Sequence, residues 1–514
     1  MRGQGYDDSS PANHVSSRTV LGTLTILTCF KVLCIPSYRS TDFDVHRNWL
    51  AITRHLPLED WYFDDVNGTT VHTLDYPPGF AFFEYFLSRN FVTEALIQQK
   101  ILDERCLALL GDQDNRPSPA CVAFHRSTVI WSDLFFWTGA YIASNDWTGF
   151  LFLVCNPGLL WLDHVHFQYN GMLLGILLGS LGLLARGSTK PRNQLDYHVY
   201  HLIAAFLFAL LLTMKHLYLP LAPLYFVYLL SNYCIGPDNK FSVPNFLQLA
   251  LVTGSTLVAP FLPFVVLTHR YSPSEQLAQM LARLFPFGRG LVHDYWAANV
   301  WAIWTLGDKM LNYLPSSLPL HGLPEVPPSL CSVCLLIGLV PGLVCAWKAS
   351  STTLLHCVVY CSLTGFMLAY HVHEKAIMTA IIPLTIMWSA SNESAQIRRL
   401  FARMTTLGLL GLFPLLFRPI ELGLKVTSYV AYVSICWYWS DGTWMDITGF
   451  WCLAATCLFL EVVHPLLLYP VMEFLPLLLT STMCAVGLLL CWLETGLLMW
   501  TASRACQAAK VKVG

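Results

Sequence analysis

The chain has 514 residues, of which 55% are apolar and 12% charged, against about 25% charged in an ordinary soluble domain. With a mean hydropathy of +0.51, a water-soluble fold of this length would leave too much apolar surface exposed, so the composition asks for a bilayer. A net charge of −2 with no basic stripe gives no footprint for a nucleic-acid partner.

Residues 1–18 are polar and partly acidic, and 19–36 form an apolar run without a small-residue cleavage site. This predicts a cytosolic tail followed by a first membrane helix rather than a cleaved leader. The segment 37–126 then reads as one long polar loop. It opens with STDFDVHRNWLAITRHLPLEDWY (40–62), where Thr41 and Asp44 have capping-box spacing and a helix begins near Asp42. Phe43, Trp49, Leu50, Ile52 and Leu56 alternate there with His46, Arg47, Asn48, Arg54 and His55, the pattern of an amphipathic helix lying in the membrane interface. Asp42 falls in its first turn, where an acid is either a dipole partner worth about 0.3–1 kcal/mol or a working carboxylate.

The same loop carries the sequon Asn67-Gly68-Thr69, a possible glycosylation site. It also carries TLDYPPGF (73–80), whose prolines fix an extended turn that holds Asp75 and Tyr76 or simply stiffens the loop. Cys106 and Cys121 lie in this polar context. A bridge between them and a pair of free thiols are both ordinary outcomes there.

Beyond the loop the chain is a succession of apolar runs. Counting from the start, candidate spans centre near residues 28, 135, 154, 178, 206, 225, 257, 337, 362, 383, 409, 432, 456 and 484, about fourteen in all at roughly 20 residues each. The expected organisation is one polytopic membrane domain over 19–500 and a cytosolic tail over 501–514, with no internal repeat. Cys331 and Cys334 form a CxxC inside the apolar run LCSVCLLIGLV, where small buried hydrophobes are a better reading than a metal or redox pair.

Short basic loops mark the cytosolic side. Arg186, Lys190 and Arg192, then Lys348, then Arg398, Arg399 and Arg403, then Arg504, Lys510 and Lys512 all fall on one side under this count. The opposite side receives the 37–126 loop, LDHVHFQYN (162–170), KHLYLP (215–220), RLFPFGRGLVHDYW (283–296) and HVHEK (371–375). Almost all the chemistry-bearing side chains thus share one non-cytosolic face. His164 and His166 are two apart and would not share a helix face, so joint metal ligation there would need an extended segment. With Gln168 and Asn170 they suit hydrogen bonds to sugar hydroxyls better. Arg283, Arg289, His371, His373 and Lys375 suit an anionic lipid headgroup, where snorkelling alone would account for one such cation but not for all.

STDFDVHRNW, DYPP, HFQYNG, KHLYLP, RLFPFGRG and HVHEK, in this order, resemble the luminal motifs of the dolichyl-phosphate-glucose-dependent alpha-1,3-glucosyltransferases. The resemblance runs from about residue 35 to about residue 500. It implies an all-α integral membrane protein of the GT-C fold in the endoplasmic-reticulum membrane, with a luminal site. It implies inverting transfer of glucose from dolichyl-phosphate glucose to a dolichyl-pyrophosphate-linked oligosaccharide, with no cofactor and no metal. The family's base is the first acid of its DFE-type motif, here Asp42. Arg283, Arg289, His373 and Lys375 are then the candidates for the donor phosphate. Asp44, Asp75, Tyr76, His164, His166, Gln168 and Asn170 are candidates for acceptor or sugar.

Within the family, His46-Arg47-Asn48-Trp49 and the first histidine of HVHEK match the branch that adds the second glucose rather than the first. Gly79 stands where a larger residue is usual, which weakens expectations about how that turn packs. A secondary transporter is the rival class, but it would place its ionisable groups near the midplane of repeated, broken helices. A non-catalytic subunit of a membrane complex would have no use for cations and a first-turn acid on one face.

Overall fold

The computed structural model describes residues 17–63, 72–109, 116–144, 146–236, 238–312, 322–390, 394–440 and, with short gaps, 449–513. Asn67 lies outside them. Among the described residues the chain is all helical, apart from one isolated bridge between Ile235 and Phe241.

The helices that matter for the site are α1 (Ser17–Leu33), α2 (Thr41–His55), α3 (Pro78–Arg89), α4 (Pro119–Ala143), α5 (Asn170–Ser188), α6 (Leu195–Met214), α7 (Pro273–Leu284), α8 (Pro328–Ala346), α9 (Ser351–Leu368), α10 (Met378–Ala390), α11 (Ala395–Leu410), α12 (Leu422–Tyr438) and α13 (Leu475–Val513). Among the described residues, five helices are long and apolar enough to cross a membrane: α5, α6, α8, α9 and Leu475–Ala508 of α13. They cover the centres expected near 178, 206, 337, 362 and 484.

Several other expected spans are broken. The run near 154 is a helix over Trp147–Val154 followed by a π-helical stretch over Leu160–Val165. The run near 225 is divided into 3-10, α and π pieces between His216 and Cys234. Interrupted helices at membrane depth are tolerated where protein buries them. Residues 450–454 and 457 of the run near 456 lie outside the described residues, and Phe459–Val463 within it is π-helical. Two boundaries also differ. Arg398, Arg399 and Arg403 sit in the early turns of α11 rather than in a loop before it, and α13 continues to Val513 through the segment expected to be a tail.

The centre of the bundle is close-packed through glycine. A Cβ on Gly139 of α4 would fall 1.9 Å from the Gly175 carbonyl oxygen of α5. One on Gly175 would meet Phe135 O at 2.4 Å, and one on Gly182 would meet Ile142 O at 2.6 Å. Small residues let membrane helices approach backbone to backbone. Gly79 is explained in the same way, because a Cβ there would lie 2.6 Å from Thr213 O at the end of α6. The larger residue usual at that position would push α3 off the bundle. Across the α1–α4 contact, Lys31 Nζ lies 2.8 Å from Asp133 Oδ2, and His164 Nε2 lies 3.3 Å from Asp133 Oδ1. Buried charges in a bundle are held in such pairs.

The 37–126 segment folds on itself over the bundle. Its helix α2 begins as expected near Asp42, but the cap is Ser40, whose hydroxyl accepts from Phe43 N at 3.3 Å. The expected Thr41–Asp44 box is not the capping device. The polar face of α2 is also not turned to water. His46, Arg47 and Asn48 are all buried, because the loop itself supplies their partners. His46 Nδ1 meets Glu84 Oε1 at 2.8 Å, Arg47 Nε and Nη2 donate to the Cys106 and Arg105 carbonyls at 2.9 Å each, and Asn48 Nδ2 donates to His72 O at 2.8 Å. Burial pushes the His46 imidazole down to about 3 and the Glu84 carboxyl well up, so the pair is a neutral hydrogen bond. Cys106 and Cys121 form a disulfide with Cα atoms 5.4 Å apart, which ties the loop to the start of α4. Cys331 and Cys334 remain free thiols on α8.

Candidate active site

The polar segments of one face converge on a cavity of about 650 Å³. Its wall includes Asp42 and His46 of α2, Asp75 and Tyr76, Gln168, Lys215, Arg283, Arg289, His293, and the loop from Tyr370 to Lys375.

Asp42 is at its centre. Its Oδ2 accepts from Gln168 Nε2 at 2.5 Å, faces His166 Nε2 at 3.2 Å and forms a short ion pair with Lys375 Nζ. Burial raises the Asp42 carboxyl, but Lys375 and His166 outweigh it and hold the group well below the usual carboxylate range. Burial opposes the Lys375 charge in turn, and Asp42 with Glu374 overcomes that, leaving the amine raised.

Residues two apart do not share a face on a regular helix, but the backbone here is not a regular helix. Residues 160–165 are π-helical, and Phe167 then adopts φ +83°, left-handed space that a side chain enters only where the surroundings over-determine it. Phe167 is fully buried, with Phe43 at 5.1 Å and His46 at 5.6 Å between ring centroids. The resulting turn delivers both His166 and Gln168 to Asp42. His166 is further fixed by Tyr38. The Tyr38 hydroxyl donates to Leu415 O at 2.7 Å, so it can only accept from His166 Nδ1–H at 2.8 Å. Nε2 therefore reaches Asp42 productively when it too carries a proton; Asp42 favours that form, while burial and Lys375 oppose it.

Lys215, at the end of α6, donates to Gln168 Oε1 at 3.4 Å and Asn170 Oδ1 at 3.2 Å and lies 5.0 Å from the Tyr76 ring centroid. Burial, reinforced by Lys375, brings its amine down to about 8. Asp75 meets Arg289 Nη2 at 3.4 Å. Burial raises the Asp75 carboxyl despite that guanidinium. Arg283 also reaches the wall, with Nε donating to Tyr62 O at 3.4 Å.

The structure thus brings Asp42, Asp75, Tyr76, Gln168, Arg283, Arg289, His373 and Lys375 onto one cavity, with His166 directly behind Asp42. It places three candidates elsewhere. Asp44 faces Arg39 at 3.3 Å, outside the cavity wall. His164 turns to Asp133, so His164 and His166 point apart and form no metal pair. Asn170 starts α5, where its amide and side chain, with Gly171 N, bind the Asp163 carboxylate at 3.0, 3.0 and 2.6 Å. It touches the site only through Lys215. Sequence reasoning left Lys215, His293 and Tyr38 without a role. KHLYLP already carried a signal for Lys215, whereas nothing local marks Tyr38, whose partners lie far along the chain.

Set against known proteins, the sequence profile of the ALG6, ALG8 glycosyltransferase family matches residues 27–495. The chain belongs to the ALG6, ALG8 glycosyltransferase family. It is 36% identical to the dolichyl pyrophosphate Glc1Man9GlcNAc2 alpha-1,3-glucosyltransferase of Bos taurus, over 91% of this chain and 93% of that one. It is 35% identical to the protein of the same name in Arabidopsis thaliana, over 93% and 97%. It is also 35% identical to a probable one in Drosophila melanogaster, over 90% and 91%. Every ALG6, ALG8 relative named here carries the same activity in its name. The matched span of the family includes all the cavity residues described above, from Asp42 to Lys375.

Proposed function

We propose that this chain transfers glucose from dolichyl-phosphate glucose to the monoglucosylated oligosaccharide Glc1Man9GlcNAc2 on dolichyl pyrophosphate, forming an alpha-1,3 bond with inversion. The reaction takes place at the luminal face of the endoplasmic-reticulum membrane, within a polytopic bundle of about fourteen spans. The observation that carries this reading is Asp42, the carboxylate held by Lys375 on a cavity whose wall also supplies Lys215, Arg283 and Arg289.

Inversion needs one in-line displacement. The acceptor hydroxyl attacks the anomeric carbon from the face opposite the phosphate, and Asp42 takes the hydroxyl proton as the bond forms. The glycosidic bond to phosphate breaks at the same time, and its electron pair leaves on dolichyl phosphate. That leaving group is already anionic, so it needs cations rather than a general acid, and no metal is required. A second carboxylate at retaining or acid-base distance is unnecessary.

The ion pairs on the cavity wall have a role in this scheme. Lys375 neutralises Asp42, and Arg289 faces Asp75. An entering donor phosphate competes for both cations. As Lys375 turns towards phosphate, Asp42 loses the partner that depresses its carboxyl and becomes the stronger base when the donor is in place. Asp75, released from Arg289, takes an acceptor hydroxyl together with the neighbouring Tyr76. Donor binding thus arms the base.

The lipid-linked oligosaccharide profile of cells lacking this protein tests the assignment. Accumulation of the monoglucosylated species, reversed by the wild-type chain, is the expected result. Accumulation of the unglucosylated Man9 species instead would move the protein to the preceding step.

A further inference from the structure

One cluster on the cavity wall is not used by this scheme as a cluster. His293, His371 and His373 each offer a ring nitrogen within 4.8 Å of the others. The His371 ring stands at 78° to His293 and 90° to His373, and the His293 and His373 rings lie at 37° with centroids 3.9 Å apart. They come from two segments held together by the backbone. His371 N donates to Leu291 O at 3.2 Å, and His371 itself sits at φ +51°.

Two features favour a metal over an anion. His371 Nδ1 lies 2.6 Å from Gly290 O. A carbonyl only accepts, so Nδ1 carries the proton and the neutral ring presents the lone pair of Nε2. Behind His293, Nδ1 stands 3.5 Å from Glu374 Oε2. Glu374 is 1% exposed, and neither of its oxygens accepts a hydrogen bond of normal geometry. Metal-bound histidines characteristically pass their second ring N–H to a backbone carbonyl or a carboxylate; the carbonyl is in place for His371, whereas His293 Nδ1 accepts from Tyr295 N at 3.5 Å and would exchange that contact for a donated bond to the neighbouring Glu374 carboxylate when metal binds.

We infer that His293, His371 and His373 form a binding site for a zinc-class divalent cation on the cavity wall, with the fourth position open to the cavity. Zinc takes three histidines and one exchangeable ligand, at about 2.0–2.1 Å from nitrogen. The rings must close in from their present separation, which the torsions of these half-buried side chains permit. The cation does not take part in glucosyl transfer. It occupies the wall beside Lys375 and acts as an inhibitor, since it engages His373 and holds an anionic oxygen in the fourth position.

Titration of the purified full-length protein with Co²⁺ tests the site without reference to catalysis. Tetrahedral Co²⁺ absorbs in the visible, so the expected result is a saturating band that Zn²⁺ bleaches and that is lost in His371→Gln and in His293→Gln. Unchanged elution profile and thermal transition show that each variant is folded; if one fails, the other carries the test. Absence of a saturating band, or its persistence in a folded variant, overturns the inference. Either result leaves the glucosyltransferase assignment standing, because the readout involves no sugar.

Discussion

At Asp42 two opposing effects meet: burial, which favours the neutral acid, and a lysine and histidine, which favour the anion and win. This residue was legible in the sequence, because it follows the first apolar run and opens a helix on the face that gathers the polar motifs. Its partners were only partly legible. Gln168 and Lys375 stood in recognisable motifs, but the left-handed turn at Phe167 and the Tyr38 hydroxyl belong to contacts across more than a hundred residues, which local patterns cannot report. Asp42→Asn, nearly isosteric, is expected to insert and fold normally and to lose about 10²–10⁴ in turnover, measured as radiolabelled glucose transfer by the purified enzyme. Near wild-type transfer by Asp42→Asn, with Asp75→Asn inactive, would reassign the base.

The pH profile carries a second expectation at this scale. A base works when deprotonated, so a depressed carboxyl keeps the free enzyme active into acid. Removing the charge in Lys375→Gln raises the Asp42 carboxyl and must shift the acid limb of kcat/KM towards higher pH, with a loss in donor use as well. An unshifted limb would show that Lys375 does not control Asp42.

Among the elements, the continuous apolar helices were readable because length and hydropathy suffice, as α5, α6, α8 and α9 demonstrate. The interrupted ones were not. Their breaks answer to tertiary needs, such as the π-helical stretch that aims His166; Pro157 and Pro220 mark two of the interruptions but not the direction the chain takes after them. Helix α2 shows the opposite failure. Its alternation read as an interfacial face, but Glu84 and backbone carbonyls of the same loop bury that face. Sequence periodicity reports that a polar face needs partners, not whether water or protein supplies them.

The disulfide fixes that loop. Cys106 is followed by a closed loop of 15 residues, for which the chain-entropy account gives about 3 kcal/mol. Cys121→Ser is therefore expected to lower the thermal transition of the purified protein, and a reductant should do the same to the wild type but not to the variant. Equal transitions with and without reductant in the wild type would remove the bridge from the account.

For the whole molecule, the sorting of charge between the two faces was the strongest information the sequence held. It rests on a constraint that acts on every span at once, so it does not depend on any single boundary. The fold adds a reason for the sorting: the segments assigned to one face close over one cavity. If the 37–126 loop is luminal, Asn67 is available for glycosylation, and Asn67→Gln should remove a glycosidase-sensitive mass shift. Proteolysis of the loop from the cytosolic side of intact microsomes would contradict that topology.

The central claim is that Asp42 and the surrounding cations transfer glucose to a monoglucosylated acceptor. Purified enzyme given dolichyl-phosphate glucose and, in parallel, Glc1Man9GlcNAc2 and Man9GlcNAc2 on dolichyl pyrophosphate tests it most directly. One added glucose is expected on the first acceptor, none on the second, and neither product with Asp42→Asn; transfer to the unglucosylated acceptor, or none to either, would overturn the assignment.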